Sequence, residues 1–165
     1  MRGGRHFVDF SIVSSSIIPQ VNLGVIRPVS LTDGMDLGTD WRGSVNPVFV
    51  SPRDQSALAE KLRSHRTAKW GDSNVHCCAY SCAFGKRIWT DWKNKENHSD
   101  WQGMEGLGGS GKIGLLLDLN EGNLSVFKNG RRLGMVKDGL GGEYCWFVSV
   151  YSACTISISK GRAPN

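Results

Sequence analysis

Along much of this chain apolar residues fall at every second position, the spacing that turns one face of a β-strand toward a core and the other toward water. In "HFVDFSIV", Val8, Phe10 and Ile12 alternate with Asp9 and Ser11. "VNLGVIRP" repeats the pattern through Val21, Leu23 and Val25, and Pro28, which lacks a backbone donor, ends the run. These two runs predict a first hairpin or meander. Strand character resumes in "HCCAYSCAF" and "KRIWT". "KIGLLLDL" then places Ile113, Leu115, Leu117 and Leu119 on one face and Leu116 on the other, so both faces are partly covered and a second layer is implied. A short turn at "NEG", where Gly122 can take positive φ, and a hairpin over Asn129-Gly130 fold residues 114–134 into a meander. "YCWFVSVY" and "CTISIS" add two strands with a bend at Ser152-Ala153. Strands at such intervals predict an all-β fold, an antiparallel sandwich of two sheets.

Two stretches break this rhythm. Residues 29–69 are rich in turn-forming Asp, Gly, Asn and Pro and read as a loop-rich insertion. Within it "SPRDQSALAEKLRSHR" predicts one short helix: Ser51 can cap, Pro52 suits the first helical position, and Leu58 and Leu62 form a narrow apolar stripe. "TDWKNKENHSDWQGMEGLGGSG" is a second polar, glycine-rich excursion.

Composition narrows the class. A chain of 165 residues is enough for one domain with its own core. With 39% hydrophobic and 21% charged residues it is neither a disordered tail nor a membrane protein, and charged or glycine residues interrupt every apolar run well short of the ~18 residues a span requires. Five cysteines, an odd number, and an N-terminal "MRGGRHFVDF" without an apolar core predict a reducing compartment, cytoplasmic or nuclear. The net charge of +5 favours acidic partners in general. The basic clusters at 63–69, 86–95 and 128–132 are diluted by acidic or neutral neighbours, which argues against nucleic acid. A nucleic-acid-associated regulatory domain with a basic surface stays open as the alternative.

Candidate chemistry is sparse. A nucleophilic thiol needs a base or a helix N-terminus to lower its pKa; His76 and Cys78 share a strand face, but a cysteine there is ordinarily a small buried hydrophobe. His76, Cys78 and Cys82 are spread too far along an extended strand, roughly 20 Å at ~3.3 Å per residue, to share one metal ion. "GLGGSGK" partly matches a phosphate-binding loop, but Lys112 leads into a strand rather than a helix. No catalytic residue, metal site or cofactor is predicted.

The order of the motifs, namely "GGRHFVDFSI", "LGVIRP", "KWGD", "GKIGLLLDLNEGNLSVFKNGRRLG" and "FVSVYSACTISI", resembles the B30.2/SPRY domain family over nearly the whole chain. The resemblance implies a bent sandwich of two antiparallel sheets that recognises a protein or short peptide through loops at one end. It implies no catalysis, and a possible place as the substrate-recognition part of a ubiquitin ligase. It also implies that residues 1–165 form one such domain lacking the family's first strand, which leaves a sheet edge exposed. Carried over by position, the contacts are Arg27 and Pro28 after the second matched strand, Trp70 in the Trp-Gly element, and the turn Val150-Tyr151-Ser152. Tyr151 and Trp70 would supply apolar area, Arg27 a charged hydrogen bond, and the backbone near Ser152 a hold on an extended segment. Tyr151 and Ser152 stand where peptide-binding members have Trp and Gly, so a peptide preference does not transfer. Trp89 reads as core. Trp41, Trp92 and Trp101, set among polar residues, read as lids on the sandwich, with Trp41 and Trp92 as accessory contacts if exposed.

Overall fold

The alternating runs do form strands with one buried face. Val8, Phe10 and Ile12 are buried, as are Val21, Leu23 and Val25 and, further on, Ile113, Leu115 and Leu117. The structure, a computed structural model, describes residues 1–28, 71–91, 95–98 and 100–164, together with Glu60 and Ser64. Its strands are β1 (Arg5–Ser14), β2 (Val21–Ile26), β3 (Cys77–Ser81), β4 (Arg87–Thr90), β5 (Lys95–His98), β6 (Gly111–Asp118), β7 (Asn123–Lys128), β8 (Arg131–Lys137), β9 (Cys145–Val150) and β10 (Cys154–Lys160). Among the described residues they make two five-stranded sheets, in the orders β10-β1-β6-β7-β8 and β5-β4-β3-β2-β9, with every pairing antiparallel. This is the two-layer sandwich that the period-2 pattern predicts.

The core lies between the sheets. Phe10, Ile12, Ile113, Leu115, Leu117, Leu124 and Val126 from one sheet meet Val21, Leu23, Val25, Cys78 and Tyr80 from the other. Burying each large aliphatic or aromatic side chain in this set contributes about 1.5–3 kcal/mol. Cys77 and Ala79 point the opposite way and pack with Ile88 in a smaller cluster on the outer face of the second sheet. Trp89 is half-buried against the main core, as the sequence predicts.

The meander folds as expected. Asn129 and Gly130 sit at φ 49° and 83°, the paired left-handed conformations of a two-residue hairpin turn, and Gly122 takes φ 66°. Three expectations are corrected or lie elsewhere. β1 and β2 are not a hairpin: β1 pairs with β10 and β6, and β2 with β3 and β9, so the Ser15–Gln20 connection crosses from one sheet to the other. The polar excursion contains β5, whose Lys-Glu-Asn-His sequence carries no apolar alternation; among the described residues it is an edge strand paired with β4 alone. In the insertion, Glu60 and Ser64 are helical, but the helix itself and Trp41 lie outside the described residues.

Candidate functional site

The two ends of the sandwich differ in what they expose. At one end lie the turn between β1 and β2, the turn between β3 and β4, the loop entering β6, the Asn129-Gly130 turn and the turn between β9 and β10. The strand registers place these together: Val21 opposite Val150, Asn22 opposite Ser81, Ser14 opposite Cys154. The backbone there is cross-linked. Tyr151 N–H donates to the Gln20 carbonyl at 2.8 Å, Gln20 N–H donates to Ser152 Oγ at 3.0 Å, and Cys82 N–H donates to the Val21 carbonyl at 2.8 Å. Ser110 Oγ bridges to Ser14, accepting from its N–H at 3.0 Å and donating to its carbonyl at 3.2 Å.

Large apolar side chains stand out from this fixed frame. Ile17 is 79% exposed, Phe84 52%, Tyr151 50% and Val150 47%, with Ile18 close behind. Strands are ~4.8 Å apart, so the turns carrying Tyr151, Pro19-Gln20 and Phe84 form a row across the ends of β9, β2 and β3. Val150, Tyr151 and Ser152 lie at this end, at the turn between β9 and β10. Ile17, Ile18 and Phe84 were not singled out by the sequence reading. The available signal was two isoleucines between serines and a proline, and a phenylalanine before the turn residue Gly85.

The loop leading into β6 is held by Glu105. Its carboxylate takes Lys128 Nζ at 2.6 Å and also pairs with Arg131, and its backbone carbonyl accepts the Tyr80 hydroxyl. Hydrogen bonds from Lys128 and Arg131 hold the Glu105 carboxyl below its ordinary value. Arg132 donates to Ser125 Oγ at 3.1 Å, so Lys128, Arg131 and Arg132 each have a partner within the chain, while Arg131 and Arg132 remain exposed. Trp101 caps this region as a lid: its indole N–H donates to the Gly85 carbonyl at 2.8 Å, and its ring lies edge-on to Tyr80.

Arg27 lies at the opposite end. Ile26 faces Cys145 at the far end of the ladder that begins at Val21 and Val150, which separates Arg27 from Tyr151 by roughly 23 Å at ~3.3 Å per residue. Arg27 is also 1% exposed. Its guanidinium donates to the backbone carbonyls of Val75 at 3.0 Å, Ser73 at 3.1 Å and Glu143 at 3.2 Å, and lies 4.0 Å over the Tyr144 ring. This corrects the expectation of a surface contact: Arg27 clamps the segments entering β3 and β9, and half-buried Pro28 follows it away from the Tyr151 end. Trp70 and Trp92 lie outside the described residues.

The three buried cysteines are not activated. Burial pushes the Cys78 thiol up to about 12 and raises Cys77 and Cys82 as well, the reverse of what a nucleophile at neutral pH requires. Among the described residues no cluster of His, Cys, Asp and Glu is arranged to hold a metal ion, and no helix is long and apolar enough to cross a membrane. A cavity of about 300 Å³ opens on the outer face of the first sheet between Arg5, Leu116, Asp118, Phe127 and Arg132. There Arg5 lies 3.1 Å from Asp118, and Arg132 donates to the Ser125 hydroxyl.

Comparison with known proteins agrees with this architecture. The chain superposes on the SPRY domain of human HERC1 with a TM-score of 0.57 at 14% identity, over 97% of this chain and 77% of that one. It superposes on the PSpry domain of TRIM65 with a TM-score of 0.53 at 13% identity, over 98% of this chain and 66% of that one. No protein-family model and no curated protein sequence matches it. The fold is thus that of SPRY domains.

Proposed function

We propose that this chain is a protein-recognition module that holds an extended segment of a partner against the row of turns carrying Ile17, Ile18, Phe84, Val150, Tyr151 and Ser152. The observation that carries this reading is the pairing of exposed apolar side chains with a backbone already fixed by hydrogen bonds between turns. Such a surface loses little conformational freedom on binding, so apolar contact converts efficiently into affinity. Tyr151 combines a broad ring with a hydroxyl and suits the centre of the contact. The SPRY-type fold supports the reading because it presents loops at one end of a rigid sandwich. On the same resemblance, the module acts in the cytoplasm or nucleus, with no cofactor, and can serve as the substrate-recognition part of a ubiquitin ligase.

The test is affinity capture from cell lysate with the wild-type chain and with Tyr151→Ala, followed by titration of any purified protein that only the wild type retains. A partner lost with Tyr151→Ala and with Phe84→Ala, but kept by a control change at the far end such as Glu143→Gln, supports this site. A partner that binds all of these variants equally places recognition elsewhere.

A further inference from the structure

The four sheet edges of the sandwich are not equally protected. β8 carries Arg131, Arg132 and Lys137 and breaks its register with β7 twice, and β5 reads Lys-Glu-Asn-His. Charge and irregularity of this kind discourage pairing with another chain. β9 and β10 form the edges on the other flank, joined by the 151–153 turn. β9 has no charged residue, and β10 has only its terminal Lys160. Neither contains a proline, and each pairs with its neighbour in an unbroken register.

The inward faces on this flank are incompletely covered. Val150 and Val148 lie opposite Val21 and Leu23, so they share the core-facing side, yet they are 47% and 41% exposed. Ile158 lies opposite buried Phe10 and is 56% exposed. Trp146 and Ile156, on the same inward sides, are only half-buried against the core. An apolar seam therefore runs between the two sheets along the flank, beside two backbone edges that have no further strand among the described residues.

We infer that this flank is a self-association surface on which β10 pairs antiparallel with β10 of a second copy about a twofold axis through Ser157. The strand sequence is self-complementary in that register. "CTISISK" sets Ile156 opposite the second copy's Ile158 on the inward side, and Thr155 opposite its Ser159 on the outward side. All seven residues of the strand take part, which a shift of the axis to Ile156 or Ile158 does not allow. A twofold, self-complementary contact closes on itself and gives a dimer rather than a fibre. An axis normal to the sheet keeps both second sheets on the same side, so the same rotation turns the two β9 edges, with Val148 and Val150, toward each other. The contact joins the two first sheets into one and removes both apolar seams from water.

The experiment is sedimentation velocity over a concentration series, combined with site-directed cross-linking in a Cys145→Ser/Cys154→Ser background. The wild type is expected to show a concentration-dependent monomer–dimer equilibrium, and Ile158→Glu to weaken it at least tenfold with an unchanged circular-dichroism spectrum. A cysteine at the axis faces its own copy at 4.5–5.5 Å between Cα atoms, within disulfide range, so Ser157→Cys cross-links under mild oxidation. Thr155→Cys, whose equivalents lie about 13 Å apart in this register, does not. Tyr151→Ala leaves the dimer intact, which separates dimerisation from partner binding even though Val150 lies in both surfaces. A chain that stays monomeric to its solubility limit overturns the inference, and so does equal cross-linking of the two cysteine variants.

Discussion

Arg27 and Tyr151 stand at opposite ends of the same β2–β9 ladder, and their exposures are the reverse of what residue type suggests. The arginine is 1% exposed and the tyrosine 50%. At the Arg27 end a fixed cation organises segments that have no sheet partners of their own. Three carbonyls receive its guanidinium, the Tyr144 hydroxyl donates to Val75 O at 2.9 Å, and Ser73 Oγ donates to Gly139 O at 2.7 Å. At the Tyr151 end the backbone turns satisfy one another, which releases the side chains for an outside surface. A charged group belongs inside where backbone carbonyls would otherwise be stranded, and an aromatic group can be left outside where they are not.

The sharpest way to break this contrast is Arg27→Ala. It removes the Arg27 donors from the Ser73 and Glu143 carbonyls, leaves Val75 O only the Tyr144 hydroxyl, and opens a cavity beside the Tyr144 ring, so unfolding free energy should fall by more than about 3 kcal/mol. Urea denaturation reads this directly, and a loss below about 1 kcal/mol would contradict the clamp. Tyr151→Ala should do the opposite: less than about 0.5 kcal/mol of stability, but about 1–3 kcal/mol of partner affinity, seen by titration calorimetry against the captured partner.

His76 sharpens the contrast through pH. Burial, and then the charge of Arg27, hold its pKa well below the ordinary 6.5, so it is neutral in the folded chain. The unfolded chain takes up a proton there that the folded chain refuses, so stability is present above pH 6.5 and falls as pH drops below it. The slope for one such group is about 1.4 kcal/mol per pH unit. Denaturation midpoints at pH 7.5 and 5.5 measure it, and His76→Gln should flatten the difference. The smallest effect is at the other end. Glu105 is held below its ordinary 4.5 by Lys128 and Arg131, so its stabilisation is present at neutral pH and fades only as pH falls below that range. Glu105→Gln should shift the thermal midpoint at pH 7 slightly and narrow its gap from the midpoint at pH 3.5.

How far the sequence could be read follows the range of the interactions. The 114–134 meander was legible because its turns are local: Asn129-Gly130 and Gly122 set strand reversal within a few residues. The sheet assignment of β1 and β2 was not, because Val8 pairs with Lys160 and with Leu115, partners no local pattern reveals. Tyr151 could be placed through the motif around it. Arg27 was misplaced because a strand end followed by proline looks like a surface loop, and only the segments at 73–75 and 143–144 folding over it make it interior. β5 was hidden because a charged edge strand does not alternate.

The position of β1 between β6 and β10 has a consequence during protein synthesis. Val8, Phe10 and Ile12 are synthesised well ahead of their partners, because β6 begins at Gly111 and β10 ends at Lys160. At translation rates of 5–20 residues per second, this apolar strand waits roughly 5–20 s for its first neighbour and roughly 10–30 s for its second. A nascent chain with such an early strand and such late partners is a natural client for ribosome-associated chaperones, and slow codons ahead of β6 would lengthen its exposure.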